Sequence, residues 1–131
     1  MRSNNDGRGA GKSPVLANRF NAGKPRLSRI FDAPHALEGV SKVLEYGDQK
    51  YDRGNWRKGL SWSDTLDSLL RHVAAFSANE NVDKESGLPH TDHILCNALF
   101  LAQYFREGTG VDDRMADKKK EEEITCPKKR K

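Results

Sequence analysis

The residues between Glu80 and Asn97 combine carboxylates and imidazoles more densely than any other part of the chain. Within this span His90, His93 and Asn97 are spaced i, i+3 and i+7, so on a helix they share one stripe. Polar side chains beside a buried seam are usually paired or used in chemistry. The spacing therefore predicts a functional site along this helix. The apolar seam beside the stripe consists of Ile94, Ala98, Leu101 and Phe105.

The carboxylates directly ahead of these histidines suggest a metal site. Mg²⁺ and Mn²⁺ bind carboxylate oxygen, and imidazole suits Mn²⁺, Zn²⁺ and Fe²⁺, so a mixed set predicts one or two divalent ions. The alternative is a charged loop before a helix N-terminus, where acidic residues are favoured. The candidate metal ligands are Glu38, His72, Glu80, Asp83, Glu85 and His93.

The two cysteines bear on structural zinc and on the redox compartment. His90, His93 and Cys96 recur every third residue, which permits zinc, but a fourth ligand is not evident. Cys96 falls in a predicted helix and Cys126 in a charged tail, an arrangement poorly suited to a disulfide framework. Because no apolar run is long enough to span a bilayer, we expect a cytoplasmic protein.

A polar segment at residues 48–60, together with the second helix, carries side chains suited to a phosphorylated aromatic ligand. Lysine binds phosphate as a point charge and arginine through paired donors. Tyrosine and tryptophan offer faces on which a base can stack, although aromatic residues in such a loop also cap the core. The candidate substrate-binding residues are Lys50, Tyr51, Asn55, Trp56, Arg71 and Asn97.

Three amphipathic helices are predicted to position these side chains. The first begins near Asp32 as N-cap and ends at Gly47. The second follows Ser61, which with Asp64 is close to a capping box. The third runs from Pro89 to Arg106. Because no segment alternates as a strand does, the predicted class is all-α, a small helical bundle.

Charge divides the 131 residues into three parts. Residues 31–113 carry eight Lys and Arg against fourteen Asp and Glu, while both ends are basic. We predict a disordered basic arm at 1–24, an all-α domain at 25–111 and a disordered charged tail at 112–131. An acidic domain fits a cation-loaded site, which leaves nucleic-acid contact possible only through the termini. Three short helices bury little surface, so we expect a homo-oligomer.

Several short blocks follow one another in a characteristic order. They are Lys50-Tyr51, Asn55-Trp56-Arg57-Lys58-Gly59, Arg71-His72 and a run from Asp83 to Asn97 that contains Glu85-Ser86-Gly87-Leu88, preceded by Gly23 to Ser28. Together they resemble the bacteriophage dATP/dGTP diphosphohydrolase family in its N-terminal-domain form, over roughly residues 23–106. The wider all-α NTP pyrophosphohydrolase group pairs Glu-x-x-Glu with Glu-x-x-Asp. Here Glu38 is followed at i+3 by Ser41, so only Glu80-x-x-Asp83 matches.

The resemblance implies an enzyme of phage nucleotide metabolism in the host cytoplasm. It would convert a purine deoxynucleoside triphosphate to the monophosphate and pyrophosphate with Mg²⁺ or Mn²⁺. Glu85 and His90 are the candidate catalytic residues, and a carboxylate or histidine that does not bind the metal would take the proton of the attacking water. One alternative is a non-enzymatic phage accessory protein that binds nucleotide or nucleic acid through its basic termini. Another, a histidine/aspartate phosphohydrolase that releases triphosphate, is disfavoured because the chain lacks a His-Asp dipeptide.

Overall fold

The computed structural model describes residues 14–115, which form a helical fold. One short 3-10 helix precedes the first of three α-helices, and a second lies between the first and second α-helices. In these residues the only β-type pairings are isolated bridges, so the all-α prediction is confirmed. No helix in this part of the chain has the length and apolarity to cross a membrane. The α-helices are α1 (Pro34–Lys50), α2 (Trp62–Ser77) and α3 (His90–Glu107), and the 3-10 helices are Leu27–Asp32 and Asn55–Lys58.

Helix α1 begins and ends later than predicted. Its N-cap is Ala33 rather than Asp32, and no side chain caps it. The helix also continues through Gly47 to Lys50, and the Tyr51 N–H donates to the Gly47 carbonyl at 2.9 Å. A glycine ends a helix when it adopts the left-handed conformation, and Gly47 does not adopt it. The extra turn brings Lys50 onto the same face of α1 as Tyr46 and Val43, which lie one and two turns earlier.

Helices α2 and α3 follow the predicted signals at most of their ends. The Ser61 side chain accepts a hydrogen bond from the Asp64 N–H at 3.2 Å, which confirms the predicted cap. Helix α2 ends at Ser77, so the loop that follows carries Glu80 and Asp83, and the two do not share a helix face. Pro89 is the N-cap of α3 rather than its first residue. Helix α3 ends at Glu107, one residue beyond the prediction, and the left-handed Gly108 is its C-cap.

Helix α3 is the centre of the fold. Both α1 and α2 pack on it, while contacts between α1 and α2 are few, so a groove remains between them. The buried apolar residues come from α1 and α3, and they are Val40, Val43, Cys96 and Tyr104. The Tyr104 hydroxyl donates to the Trp56 carbonyl at 2.6 Å. This bond fixes the second 3-10 helix, and with it one end of the groove, against α3.

A C-terminal segment closes the end of the fold at the start of α2. The Trp62 N–H donates to the Val111 carbonyl at 2.9 Å. The Asp113 carboxylate accepts from the Ser63 N–H at 2.9 Å and from the hydroxyls of Ser61 and Ser63 at 2.8 and 2.9 Å. These hydrogen bonds lower the pKa of Asp113 to about 2. The contacts of the fold thus continue past residue 111, where the sequence placed the end of the domain.

Much of the apolar surface of α2 and α3 is exposed. In the predicted seam of α3, Ile94 and Leu101 are half-buried, whereas Ala98 and Phe105 are exposed. The exposed large apolar residues of α2 fall at helical spacing and form one stripe, which the single chain does not cover. They are Leu66, Leu70, Val73 and Phe76.

The predicted terminal segments fall largely outside the described residues. This applies to residues 1–13 of the arm and to residues 116–131 of the tail. Residues 14–24 are exposed and contain no helix. The alternative of nucleic-acid binding through the termini therefore depends mainly on residues beyond the described part.

Candidate active site

A cavity of about 770 Å³ fills the groove between α1 and α2. This volume lies within the range of small-molecule sites, roughly 300–1,000 Å³. Helix α1 contributes Val43, Tyr46, Gly47 and Lys50, at helical spacing along one face. The other walls come from the 3-10 helix, α2, the loop after α2, and α3. The predicted site residues that line the cavity are Lys50, Tyr51, Asn55, Trp56, Arg71, His72, Asp83, Glu85, His90, His93 and Asn97.

Two predicted metal ligands do not line the cavity. Glu80 lies behind His90, and its Oε2 is 2.7 Å from the His90 Nε2. Glu38 is exposed on the first half of α1 and is not among the residues that line the cavity. The structure therefore brings Glu80 to a histidine and leaves Glu38 apart.

His72 and His90 approach each other through their Nδ1 atoms, which are 2.8 Å apart. An ionised carboxylate only accepts, so His90 donates its Nε2–H to Glu80. In neutral His90 the Nδ1 lone pair then points toward His72. A histidine that binds a metal usually donates its other ring N–H to a carboxylate or carbonyl in the same way. One ligand atom each from His72, Asp83 and His90 lie within 4.8 Å of one another, a group that we call the convergent triad.

Ser86 connects Asp83 to His93. The Asp83 Oδ2 accepts from the Ser86 N–H at 2.9 Å and from its hydroxyl at 2.8 Å. The Ser86 Oγ also accepts the Leu88 N–H at 3.2 Å and lies 2.7 Å from the His93 Nε2. Because the single hydroxyl hydrogen is directed to Asp83, His93 donates its Nε2–H to Ser86. Burial by itself raises the pKa of Asp83, but the Ser86 hydrogen bonds and nearby His93 hold it below the ordinary value.

Burial favours the neutral form of two of the imidazoles. It lowers the pKa of His72, with a further contribution from His93, and it is also the main cause that lowers the pKa of His93. The two rings are stacked, with centroids 4.4 Å apart and planes 4° from parallel. Neutral imidazoles carry a lone pair that a cation can use, whereas imidazolium does not.

Glu85 contacts α1 rather than the convergent triad. Its Oε2 accepts from the Lys50 Nζ at 3.0 Å and from the Tyr46 hydroxyl at 3.3 Å. The hydrogen bond and charge of Lys50 lower the pKa of Glu85, and the same pair raises the pKa of Lys50. Sequence reasoning did not include Tyr46. The signal that could have found it is its i, i+4 spacing from Lys50 on the face that carries Val43.

The two candidate base-binding aromatics differ in how free their faces are. Trp56 stacks on Phe100 with centroids 4.7 Å apart and an interplanar angle of 17°, so its ring packs into the wall as a cap over the core. Tyr51 is 58% exposed. Of these two aromatic side chains, Tyr51 is therefore the one with a face available to a ligand.

Asn97 donates through its Nδ2 to the His93 carbonyl at 3.0 Å and so supports α3.

Arg71 and Asn55 line the cavity from different elements, Arg71 from α2 and Asn55 from the second 3-10 helix. Arg71 is exposed on α2 and forms no ion pair with any residue between 14 and 115. Asn55 is half-buried at the start of the second 3-10 helix, where its N–H donates to the Asp52 carbonyl at 2.9 Å. The guanidinium of Arg71 is thus available to an anionic ligand.

Cys96 lines the cavity from α3, one turn beyond His93. Its side chain is 1% exposed, and burial raises the pKa of the thiol to about 12. Among residues 14–115 the convergent triad contains two histidines and one aspartate and does not include Cys96. The thiol therefore stays protonated at neutral pH and is packed as an apolar group.

Comparison with known proteins identifies the family. The family model for the N-terminal region of dATP/dGTP diphosphohydrolase matches residues 16–114. A protein named dATP/dGTP diphosphohydrolase from Salmonella phage PMBT28 is 36% identical over 96 residues, which are 73% of this chain and 32% of that protein. The chain thus spans about a third of the length of this curated relative. No solved structure matches the chain significantly. The chain belongs to the dATP/dGTP diphosphohydrolase N-terminal family.

Proposed function

We propose that the chain hydrolyses purine deoxynucleoside triphosphates to the monophosphate and pyrophosphate, as part of phage nucleotide metabolism. The observation that carries this proposal is the convergent triad at the wall of a cavity that also holds Lys50 and Arg71. Such a cavity offers ligands for a divalent ion beside cations for phosphate. The name of the phage relative supplies the substrate class.

The donor chemistry of the triad fits a divalent metal ion. Two imidazoles and one carboxylate suit first-row transition metals, whereas Mg²⁺ prefers oxygen, so of the two expected ions we favour Mn²⁺. His72, Asp83 and His90 would hold the ion, since one ligand atom from each lies within 4.8 Å of the others. The Nδ1 atoms of His72 and His90 are 2.8 Å apart, so the two imidazoles already converge on one point. Glu80 and Ser86 orient His90 and Asp83 through their hydrogen bonds.

The residues around the triad supply the remaining functions of the reaction. A bound ion would lower the pKa of a water molecule and polarise the attacked phosphate. Lys50 and Arg71 neutralise phosphate charge, and Tyr51 provides a face for the base. We propose that His93 receives the water proton at its Nδ1, because both ring nitrogens of His90 are engaged and Glu85 is held by Lys50.

The first experiment is turnover of each deoxynucleoside triphosphate with Mn²⁺ or Mg²⁺, with products resolved by ion-exchange chromatography. Purine monophosphate and pyrophosphate are the expected products. Release of nucleoside and triphosphate would instead show that the chain is a triphosphate-releasing phosphohydrolase. No turnover by folded protein with either ion would contradict the proposal.

Matched histidine variants test the position of the site. His72→Ala should lose turnover and Mn²⁺ binding while keeping its helical circular dichroism. His35→Ala is the control, because His35 is exposed on α1 and lies outside the cavity. Equal loss in both variants would contradict a site at the convergent triad.

We also propose that the chain assembles with copies of itself. The exposed stripe of α2 is the basis, since a face of leucine, valine and phenylalanine at helical spacing is normally covered. Light scattering after size exclusion should give at least a dimer, and Leu70→Glu should reduce the mass to that of a monomer. A monomeric mass for the unmodified chain would refute this proposal.

A further inference from the structure

Two donors on α1 converge on one carboxylate oxygen at the rim of the cavity. The Lys50 Nζ and the Tyr46 hydroxyl are 3.0 and 3.3 Å from the Glu85 Oε2. We propose that Tyr46 and Lys50 form an anion subsite, which Glu85 fills in the free protein and a phosphate oxygen of the triphosphate takes over on binding. This inference rests on the proposed function, because it concerns how the same cavity receives its substrate.

The chemistry of the subsite is that of an anionic oxygen. An ammonium and a phenol are both donors, and together they satisfy one oxygen that carries negative charge. Burial and the neighbouring Glu85 raise the pKa of Tyr46, so the phenol keeps its proton at neutral pH. The Glu85 hydrogen bond likewise raises the pKa of Lys50. A phosphate oxygen accepts the same two hydrogen bonds as the carboxylate does.

The position of the subsite suits the end of a triphosphate chain. Tyr46 meets the His93 ring edge-on, with centroids 6.5 Å apart and planes at 88°. His93 in turn stacks on His72 of the convergent triad. A ligand that runs along this wall can therefore contact the α1 donors and the triad at once, while Arg71 lines the same cavity.

The bond to Glu85 is suited to exchange. The Glu85 side chain is 68% exposed and that of Lys50 is 41% exposed, and exposed ion pairs contribute little net stability. A triphosphate brings several negative charges into the cavity, so it repels the Glu85 carboxylate and attracts Lys50. Glu85 thus keeps the two donors in place and competes weakly with substrate.

Removing the competing charge should strengthen binding. Glu85→Gln leaves a neutral amide beside Lys50, so dATP and inorganic triphosphate should bind about two- to fivefold more tightly in EDTA, measured by calorimetry. In turnover the KM should fall by a similar factor. Tyr46→Phe should weaken dATP binding about threefold, because one hydrogen bond to the phosphate is lost.

The control is a charge-matched change at the same rim. Asp52 lines the cavity, but its Oδ2 is 4.0 Å from the Lys58 Nζ and both side chains are highly exposed. Asp52→Asn therefore changes the net charge as Glu85→Gln does, without releasing the two donors of the subsite. Its effect on dATP binding should be below about 1.5-fold.

The outcomes separate this inference from the proposed function. Unchanged or weaker binding of dATP to Glu85→Gln, or equal gains in Glu85→Gln and Asp52→Asn, would overturn the subsite. Loss of Mn²⁺ binding in Glu85→Gln would overturn it as well, since Glu85 would then be a metal ligand. Tighter dATP binding with no turnover of any substrate would support the subsite while hydrolysis itself fails.

Discussion

Glu80 provides the sharpest test of how the candidate metal site is built. The sequence places it among the ligands, whereas its carboxylate accepts from the Nε2–H of the buried His90. Loss of such a supporting carboxylate typically weakens metal binding by about 10- to 100-fold, which is about 1.4–2.7 kcal/mol. Because the Glu80 side chain is 41% exposed, water can replace part of its contact in Glu80→Ala. We therefore expect about a tenfold loss of Mn²⁺ affinity, at the lower end of this range.

The assay is titration with Mn²⁺ while the free ion is followed by electron paramagnetic resonance. Glu80→Gln retains an acceptor oxygen and should stay within about threefold of the unmodified protein. His72→Ala should lose more than about a hundredfold, beyond the range of indirect effects. A loss in Glu80→Ala as large as in His72→Ala would make Glu80 a direct ligand. Unchanged Mn²⁺ affinity in Glu80→Ala would mean that the hydrogen bond from His90 to Glu80 does not support metal binding. Either of these two results would refute the reasoning.

Two further predictions concern stability. Tyr104→Phe should lower the free energy of unfolding by about 1–3 kcal/mol in urea denaturation, because the part-buried Trp56 carbonyl loses the hydrogen bond from the buried Tyr104 hydroxyl. A loss below about 0.5 kcal/mol would contradict this. Asp113→Asn should lower the thermal midpoint at pH 7. The pKa of Asp113 is depressed to about 2 in the folded state, so its contribution is complete above about pH 4 and disappears as the pH falls toward 2. A difference in midpoint that is the same at pH 7 and pH 2.5 would contradict it.

Local signals in the sequence predicted much of the helical framework. The Ser61 cap depends on a hydrogen bond to a residue three positions later, so the sequence contains both partners. The stripe of His90 and His93 depends on helical spacing in the same way. Gly47 misled the prediction because glycine ends a helix only when the backbone turns left-handed there, and tertiary packing decides that.

The arrangement of the candidate site depended on contacts between distant parts of the chain. Tyr46 and Lys50 meet Glu85 across a gap of 35 to 39 residues. Neither helical periodicity nor composition carries that information. Likewise Glu80 and Asp83 share similar chemistry, and only the path of the loop after α2 brings Asp83 into the convergent triad and sets Glu80 behind His90.

The buried thiol of Cys96 offers a measure of motion between the helices. It is a cavity-lining group with 1% exposure and a pKa of about 12, so a thiol reagent reacts with it only when α3 separates locally from its neighbours. Once Cys126 is replaced, the labelling rate measures how often α3 opens at Cys96. Ligands that bind in the cavity should slow labelling of Cys96, so the binding of nucleotides and of metal ions can be compared without measuring turnover.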